Sequence, residues 1–192
     1  MVADMFEVRV HGRGGQGVVT AAELLSAAAF AEGRRAQAFP SFGSERTGAP
    51  VVAYCRIADR PIRLREPVLR PDAVVVQDAT LLGQVDVLAG LAEDGLVLVN
   101  SARTLAELGL EPYAGRAFTV PATRLAREHL GRPLPNAALL GGVAALCGLV
   151  SLASVQAAIR DRFPGPVADG NAAAAAAAYD LVLAGRKEAT RA

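Results

Sequence analysis

Residues 11–17 read HGRGGQG, four glycines in seven positions, between an apolar run and an alanine-rich one. Glycines this dense permit a tight turn and let backbone N–H groups approach a ligand where a helix begins and its dipole favours an anion. The chemistry that suits such a loop is phosphate binding. Gly12, Gly14 and Gly17 satisfy G-x-G-x-x-G between a predicted strand and a predicted helix, the context a dinucleotide fingerprint needs. That fingerprint also wants an acid about twenty residues further on, to hold a ribose hydroxyl. No Asp or Glu occurs between Gly33 and Ser44, and Arg34 and Arg35 precede the position at which an NADP phosphate would be met. A glycine-rich crossover that binds nothing is the competing explanation.

Other chemistries fail on residue type or spacing. No Gly-Lys-Ser/Thr follows the glycines, so the loop is no P-loop. The stretches EDG at 93–95 and ADGN at 168–171 read as turns or helix caps, and no G-D-G suited to a thiamine diphosphate site is present. His11 and His129 stand apart, Cys55 and Cys147 form no CxxC, and Lys187 is the only lysine. These residues supply no nucleophilic triad, no metal or iron–sulfur site and little scope for Schiff-base chemistry. A phosphate-friendly loop without a catalytic constellation points to a binding or accessory subunit.

The elements that would position this loop follow from periodicity. MFEVRVH predicts a strand, and VVTAAELLSAAAFAEG a helix that ends at Gly33 as its C-cap. RRAQAF predicts a second strand, and Pro40 begins the loop PSFGSERTGAP. VVAYCRIA, a turn at Asp59-Arg60 and PIRL read as a hairpin, which makes the sheet mixed. AVVVQDA, GLVLVNS and AFTVPA predict further strands; four helical segments follow, within 123–131, 136–149, 151–163 and 171–185. The expected fold is a single domain over residues 1–192: three-layer α/β/α, with a mixed, mostly parallel sheet and a helical C-terminal part.

The totals limit the partners. Twenty basic residues against nineteen acidic ones give a net charge of +1, which suggests neither nucleic acid nor an anionic membrane. The first ten residues lack the basic and apolar regions of a signal sequence, so a cytoplasmic protein is expected. From Leu134 to Ile159 no charge occurs, but glycines and serines divide the stretch. It reads as a buried helix followed by a half-exposed one rather than as a membrane span.

Taken together, VRVHGRGGQGVVTAAELL, AQAFPSFGSERTGAPVVAYCRI, PDAVVVQDATLL, PNAALLG and CGLVSLASVQAAIRDRF resemble the gamma subunit of 2-oxoacid:ferredoxin oxidoreductases, closest to the pyruvate type. The resemblance runs from residue 6 to about residue 182, with its blocks in family order. It implies a role in oxidative decarboxylation of a 2-oxoacid, with the acyl group passed to coenzyme A and electrons to ferredoxin. It further implies alpha and beta partner subunits, which bind thiamine diphosphate with magnesium, and a ferredoxin-like delta subunit or domain with 4Fe-4S clusters. The gamma chain itself holds none of these groups and completes the assembly and the coenzyme A site.

On that resemblance, the backbone of Gly12, Gly14, Gly15 and Gly17 faces the coenzyme A pyrophosphate, with Gln16 as a side-chain donor and Arg13 beside it or turned to solvent. The loop carrying Ser44, Glu45 and Arg46 lies close by: Arg46 is the expected phosphate contact, and Glu45 positions it or meets a partner. An ordinary exposed loop with solvated charges is the alternative for that pair. Asn136 is expected as a helix N-cap after Pro135, with ligand contact as its second role, and Asp78 as the cap of the turn that follows it. Family members often read ERRGAP where this chain has Thr47 in place of the second arginine. Two other readings stay open: a free-standing dinucleotide-binding protein using Gly12–Gly17, and a purely structural subunit.

Overall fold

The computed structural model describes residues 5–41 and 47–191. A six-stranded sheet has the order β2-β3-β1-β4-β5-β6, built from β1 Met5–Arg13, β2 Arg35–Pro40, β3 Pro50–Ala58, β4 Ala73–Val76, β5 Leu96–Asn100 and β6 Ala117–Val120. β1 pairs in parallel with β4, as do β4 with β5 and β5 with β6, whereas β3 runs antiparallel to both β1 and β2. The sheet is mixed, but not through the expected hairpin. Residues 61–64 form no strand, because Pro61 has no N–H to give a ladder and the chain leaves the sheet edge to cross one of its faces. Pro40, expected to begin a loop, is the last residue of β2.

Five helices pack together on the opposite face: α1 Val18–Ala31, α2 Ala122–Leu130, α3 Asn136–Cys147, α4 Leu152–Arg162 and α5 Gly165–Arg191. Helix α1 ends as its sequence predicts, with Gly33 at φ 82° and its N–H bonded to the Phe30 carbonyl. The uncharged stretch from Leu134 to Ile159 divides as expected. Residues 136–146 of α3 are all buried, Gly148 ends the helix at φ 65°, and the Ser151 hydroxyl accepts from the Ser154 N–H to start α4. No described helix is long and apolar enough to cross a membrane. Helix α5 begins earlier than the alanine run and carries Ala172, Ala175, Ala178 and Val182 along its buried stripe. At Gly141 of α3 an added Cβ would run into the Ala175 carbonyl, so only glycine lets these two helices approach as they do.

The other face carries no α-helix among the described residues. Over β4 and β5 it is closed by short 3₁₀ turns and loops that bury Leu81, Val87 and Leu110 against Val74, Val76, Val97 and Val99. Over β1 and β3 it is polar. Arg9, 7% exposed, donates through Nε to His11 Nε2 at 3.0 Å and through Nη2 to the carbonyls of Val87 and Ala89 at 2.9 and 2.6 Å. Arg56 pairs with Glu7 at 2.6 Å and donates to the Glu66 carbonyl at 2.7 Å. Burial, and then the adjacent Arg9 charge, push the His11 pKa down from 6.5 to about 4.

Two outcomes follow. Gly141→Val forces α3 from α5 and lowers the unfolding free energy by roughly 1–3 kcal/mol or more, read as a lower urea midpoint at unchanged m. Because the unfolded chain protonates His11 near 6.5 and the folded chain only near 4, stability falls as pH drops through that window. Denaturant titrations at pH 7 and pH 5 should differ by about 2 kcal/mol more in the wild type than in His11→Gln.

Candidate functional site

The carboxyl ends of β1, β4, β5 and β6 lie at one edge of the sheet. After β1 the chain leads through α1 to β2 on one side; after β4 it leads to β5 on the other. The gap between β1 and β4 is therefore the switch point at which α/β sheets hold ligands. The glycine loop follows β1 there, and Asp78 follows β4.

Arg13 and Gln16 are committed to building this loop. The Arg13 guanidinium turns inward: its Nε meets Asp78 Oδ2 at 3.0 Å, and its other nitrogens reach the Gly48 carbonyl, Thr80 Oγ1 and Gln84 Oε1. Gln16 accepts from the Arg13 N–H at 2.8 Å and donates to Asp78 Oδ2 at 3.1 Å. Asp78 caps the 3₁₀ turn Ala79–Gly83 as expected, accepting from the Thr80 N–H at 3.0 Å. Burial disfavours its charge, but hydrogen bonds from Thr80 and Gln16 and the charge of Arg13 outweigh that and hold its pKa below the ordinary 3.8. A single carboxylate thus joins the ends of β1 and β4.

The glycine loop also contacts the segment before β3. Gly14 bridges Thr47; its N–H bonds to the Ala49 carbonyl, and its carbonyl accepts from Gly48. The expected neighbours Ser44, Glu45 and Arg46 lie outside the described residues.

With the N–H groups of Arg13, Gly14 and Gln16 bonded inside the protein, those without a protein acceptor among the described residues are Gly15, Gly17, Val18, Val19 and Thr20. Gly17 occupies the N-cap of α1 at φ 71° and offers no capping side chain, so the first turn of a 14-residue helix points its N–H groups outward. Two clefts open there. One, of about 250 Å³, is lined by Arg13, Gly14, Gly15, Gly17 and residues 18–20. The other, of about 280 Å³, shares Gly15, Gly17 and Thr20 and extends to Arg132, Asn136, Arg162 and Asn171.

Asn136 is not the cap that its position suggested. Pro135 holds the N-cap position of α3, and Asn136 is the first helical residue, with no capping hydrogen bond. Its side chain instead turns to the glycine loop, with Nδ2 2.7 Å from where a Cβ on Gly17 would sit. Arg132 and Arg162 were not singled out by sequence, although Arg132 falls in the GRPLPN run beside Asn136. Gln77 is 1% exposed beside Gly12, and neither side-chain polar atom has a hydrogen-bond partner among the described residues. Nothing in its sequence context marks it, since strand-end glutamines are common.

The arrangement presents backbone donors suited to an anion. His11 stays neutral down to about pH 4, and burial pushes the Cys55 thiol up to about 12. No three His, Cys, Asp or Glu side chains gather at metal-binding spacing among the described residues. Dinucleotide binding fits poorly as well: β3 separates β2 from β1, and residues 34–41 include no acid at the β2 edge.

Residues 7–181 match the family described as pyruvate ferredoxin/flavodoxin oxidoreductase. The chain belongs to that family. A relative from Thermococcus kodakarensis, the common gamma subunit of pyruvate/ketoisovalerate oxidoreductases, is 51% identical over 93% of this chain and 98% of its own length. The pyruvate oxidoreductase subunit PORC of Thermotoga maritima has the same fold, with a TM-score of 0.80 and 38% identity over 92% of this chain and 96% of that one. At the level of fold alone, with 18% identity and a TM-score of 0.71, 96% of this chain matches 31% of a longer polypeptide. That polypeptide is the 2-oxoglutarate:ferredoxin oxidoreductase of Magnetococcus marinus, whose structure contains 2-oxoglutarate, coenzyme A and succinyl-CoA. The chain is therefore a gamma subunit of a multi-subunit oxidoreductase in this family.

The Asp78 clamp is testable. In Asp78→Asn the backbone N–H groups of Arg13 and Gln16 should exchange with deuterium faster at neutral pH, while those of the α3 core stay unchanged. Since folding lowers the Asp78 pKa, its contribution is complete above 3.8 and disappears as pH falls through the folded value. Wild type and variant should therefore converge in strong acid.

Proposed function

We propose that this chain completes the coenzyme A site of a 2-oxoacid:ferredoxin oxidoreductase, with pyruvate as the oxoacid. The observation that carries the reading is the set of N–H groups of Gly15 and of Gly17 to Thr20 left without an acceptor among the described residues, opening on two clefts with Arg132 and Arg162 at the rim of one. A pyrophosphate suits such a donor set, and the extended remainder of coenzyme A suits the joined clefts. Gly12 and Gly14 shape the turn; Gly15, Gly17 and Asn136 face the phosphates, and Arg13 and Gln16 hold the loop in place. Ser44, Glu45 and Arg46 come from the segment that leads to the Thr47–Gly14 bridge, with Arg46 as the charge-assisted contact. Bound coenzyme A in the Magnetococcus marinus enzyme supports the choice of ligand.

Decarboxylation and electron transfer belong to partner subunits in this reading: alpha and beta chains with thiamine diphosphate and magnesium, and a delta chain with 4Fe-4S clusters that delivers electrons to ferredoxin. The assembly works in the cytoplasm. This chain binds and orients the acyl acceptor and carries out no bond-breaking step.

The test is steady-state kinetics of the assembled enzyme. Arg46→Ala and Asn136→Ala should each raise the KM for coenzyme A by about tenfold, the loss of one charge-assisted or buried hydrogen bond, with kcat little changed. An unchanged KM in both variants, with assembly intact, would leave the glycine loop a structural feature and remove the proposal.

A further inference from the structure

The edge of the sheet opposite the glycine loop carries a surface that the coenzyme A reading does not use. Residues 60–70 read RPIRLREPVLR, four arginines and a single acid, with neither helix nor strand from residue 61 to the start of β4. This segment does not hang free. The buried Arg56 donates to the Glu66 carbonyl at 2.7 Å, Arg9 reaches the Val68 carbonyl at 3.4 Å, and Val68 is 1% exposed. At its end the Asp72 N–H bonds to the Glu7 carbonyl and the Glu7 N–H to the Asp72 carboxylate. Two prolines, Pro61 and Pro67, restrict its backbone further.

Arg63, Arg65 and Arg70 are exposed and make no ion pair among the described residues, as is true of Arg35 at the start of β2. Leu64 is 44% exposed and Leu69 75%, in a domain whose other leucines are mostly covered. Two clefts meet at Pro61 and Ile62: one of about 200 Å³ reaches Arg63 and Leu64, the other of about 420 Å³ reaches Phe30 and Arg35.

We infer that this arginine-rich segment is a docking surface for a protein partner that presents carboxylates around an apolar centre. Arginine forks bind carboxylates two bonds at a time, and arginine beside exposed leucine is the composition of interface anchors rather than of an ordinary solvated face. A segment fixed beforehand by buried hydrogen bonds loses little entropy on docking. The patch offers a base no aromatic platform beyond Phe30, which disfavours a nucleic acid strand, and its clefts accept side chains rather than a flat lipid surface. The inference rests on the multi-subunit reading in taking the partner from the same complex. It places that contact at the pole away from the glycine loop, so that a neighbour can be held without blocking the clefts there.

The experiment compares complexes purified from the source organism through a tag on this chain: wild type, Arg63→Glu/Arg65→Glu, Leu69→Asp, and the charge-matched control Arg103→Glu/Arg191→Glu. Native mass spectrometry and a salt titration read the subunits retained. The first two variants should lose a subunit that the wild type and the control keep, or release it at roughly half the salt concentration. Unchanged composition and salt midpoint in both variants overturn the inference and leave the multi-subunit reading standing. A wild-type chain that carries no other subunit removes that reading and this docking with it. Flotation of the wild-type complex with phosphatidylserine vesicles, lost in Arg63→Glu/Arg65→Glu while its subunits stay together, assigns the surface to lipid and likewise overturns the inference.

Discussion

The sheet face opposite the five helices depends on one buried guanidinium. Arg9 sits in the central strand with no carboxylate in hydrogen-bond contact among the described residues, and its donors are taken up by the carbonyls of Val68, Val87 and Ala89 and by His11. A charge so placed is tolerable only if each donor finds an acceptor, and irregular chain supplies free carbonyls where a helix would have spent its own. The loops after β3 and β4 are therefore drawn to one point beneath β1. His11 must stay neutral there to accept from Arg9, which is why its proton is so readily lost. The arginine-rich segment that crosses this face owes its fixed path to Arg9 and to the neighbouring Arg56.

At the opposite edge a different economy governs the glycine loop. A loop left to solvent would be mobile, and one that used all its N–H groups internally would bind nothing. Here the side chains of Arg13, Gln16 and Asp78 and the strand-like contact with Thr47, Gly48 and Ala49 fix the loop through its first half. In the second half, Gly15 and the residues from Gly17 into the first turn of α1 keep their donors free of acceptors among the described residues. Rigidity and binding capacity thus fall to different residues of one short motif, which is the form of preorganisation that anion binding rewards. Thr47 belongs to the fixing half: it forms the bridge to Gly14.

The two edges divide the work expected of a subunit. Membership in the oxidoreductase family and the near-complete overlap with gamma subunits make it part of a larger machine. A domain in that position needs a surface for what it binds and a surface for what it joins. The parallel half of the sheet, with its carboxyl ends and helix N-terminus, suits the first. The antiparallel half, which exposes an arginine-rich strap, suits the second.

Much of this was legible in the residues themselves. Hydrophobic periodicity placed every strand of the sheet and the helices behind it, because burial on one face or two imprints a local pattern whatever the partner. The glycine loop was legible because the left-handed backbone at Gly17 restricts residue type at that position itself. The hairpin at residues 61–64 was misread because its apolar and basic alternation resembles a strand, while what fixes the segment is hydrogen bonding from Arg9 and Arg56, far away in sequence. Asn136 was misread for the same reason. Its position after a proline is a capping signal, yet its packing against Gly17 arises only when α3 meets α1. Sequence by itself determined the six strands of the sheet, the α-helices, their order and the family. Tertiary structure alone decided which donors of the glycine loop stay free, which arginines line the cleft and which face outward unpaired, since each of these depends on contacts between segments that no local pattern records.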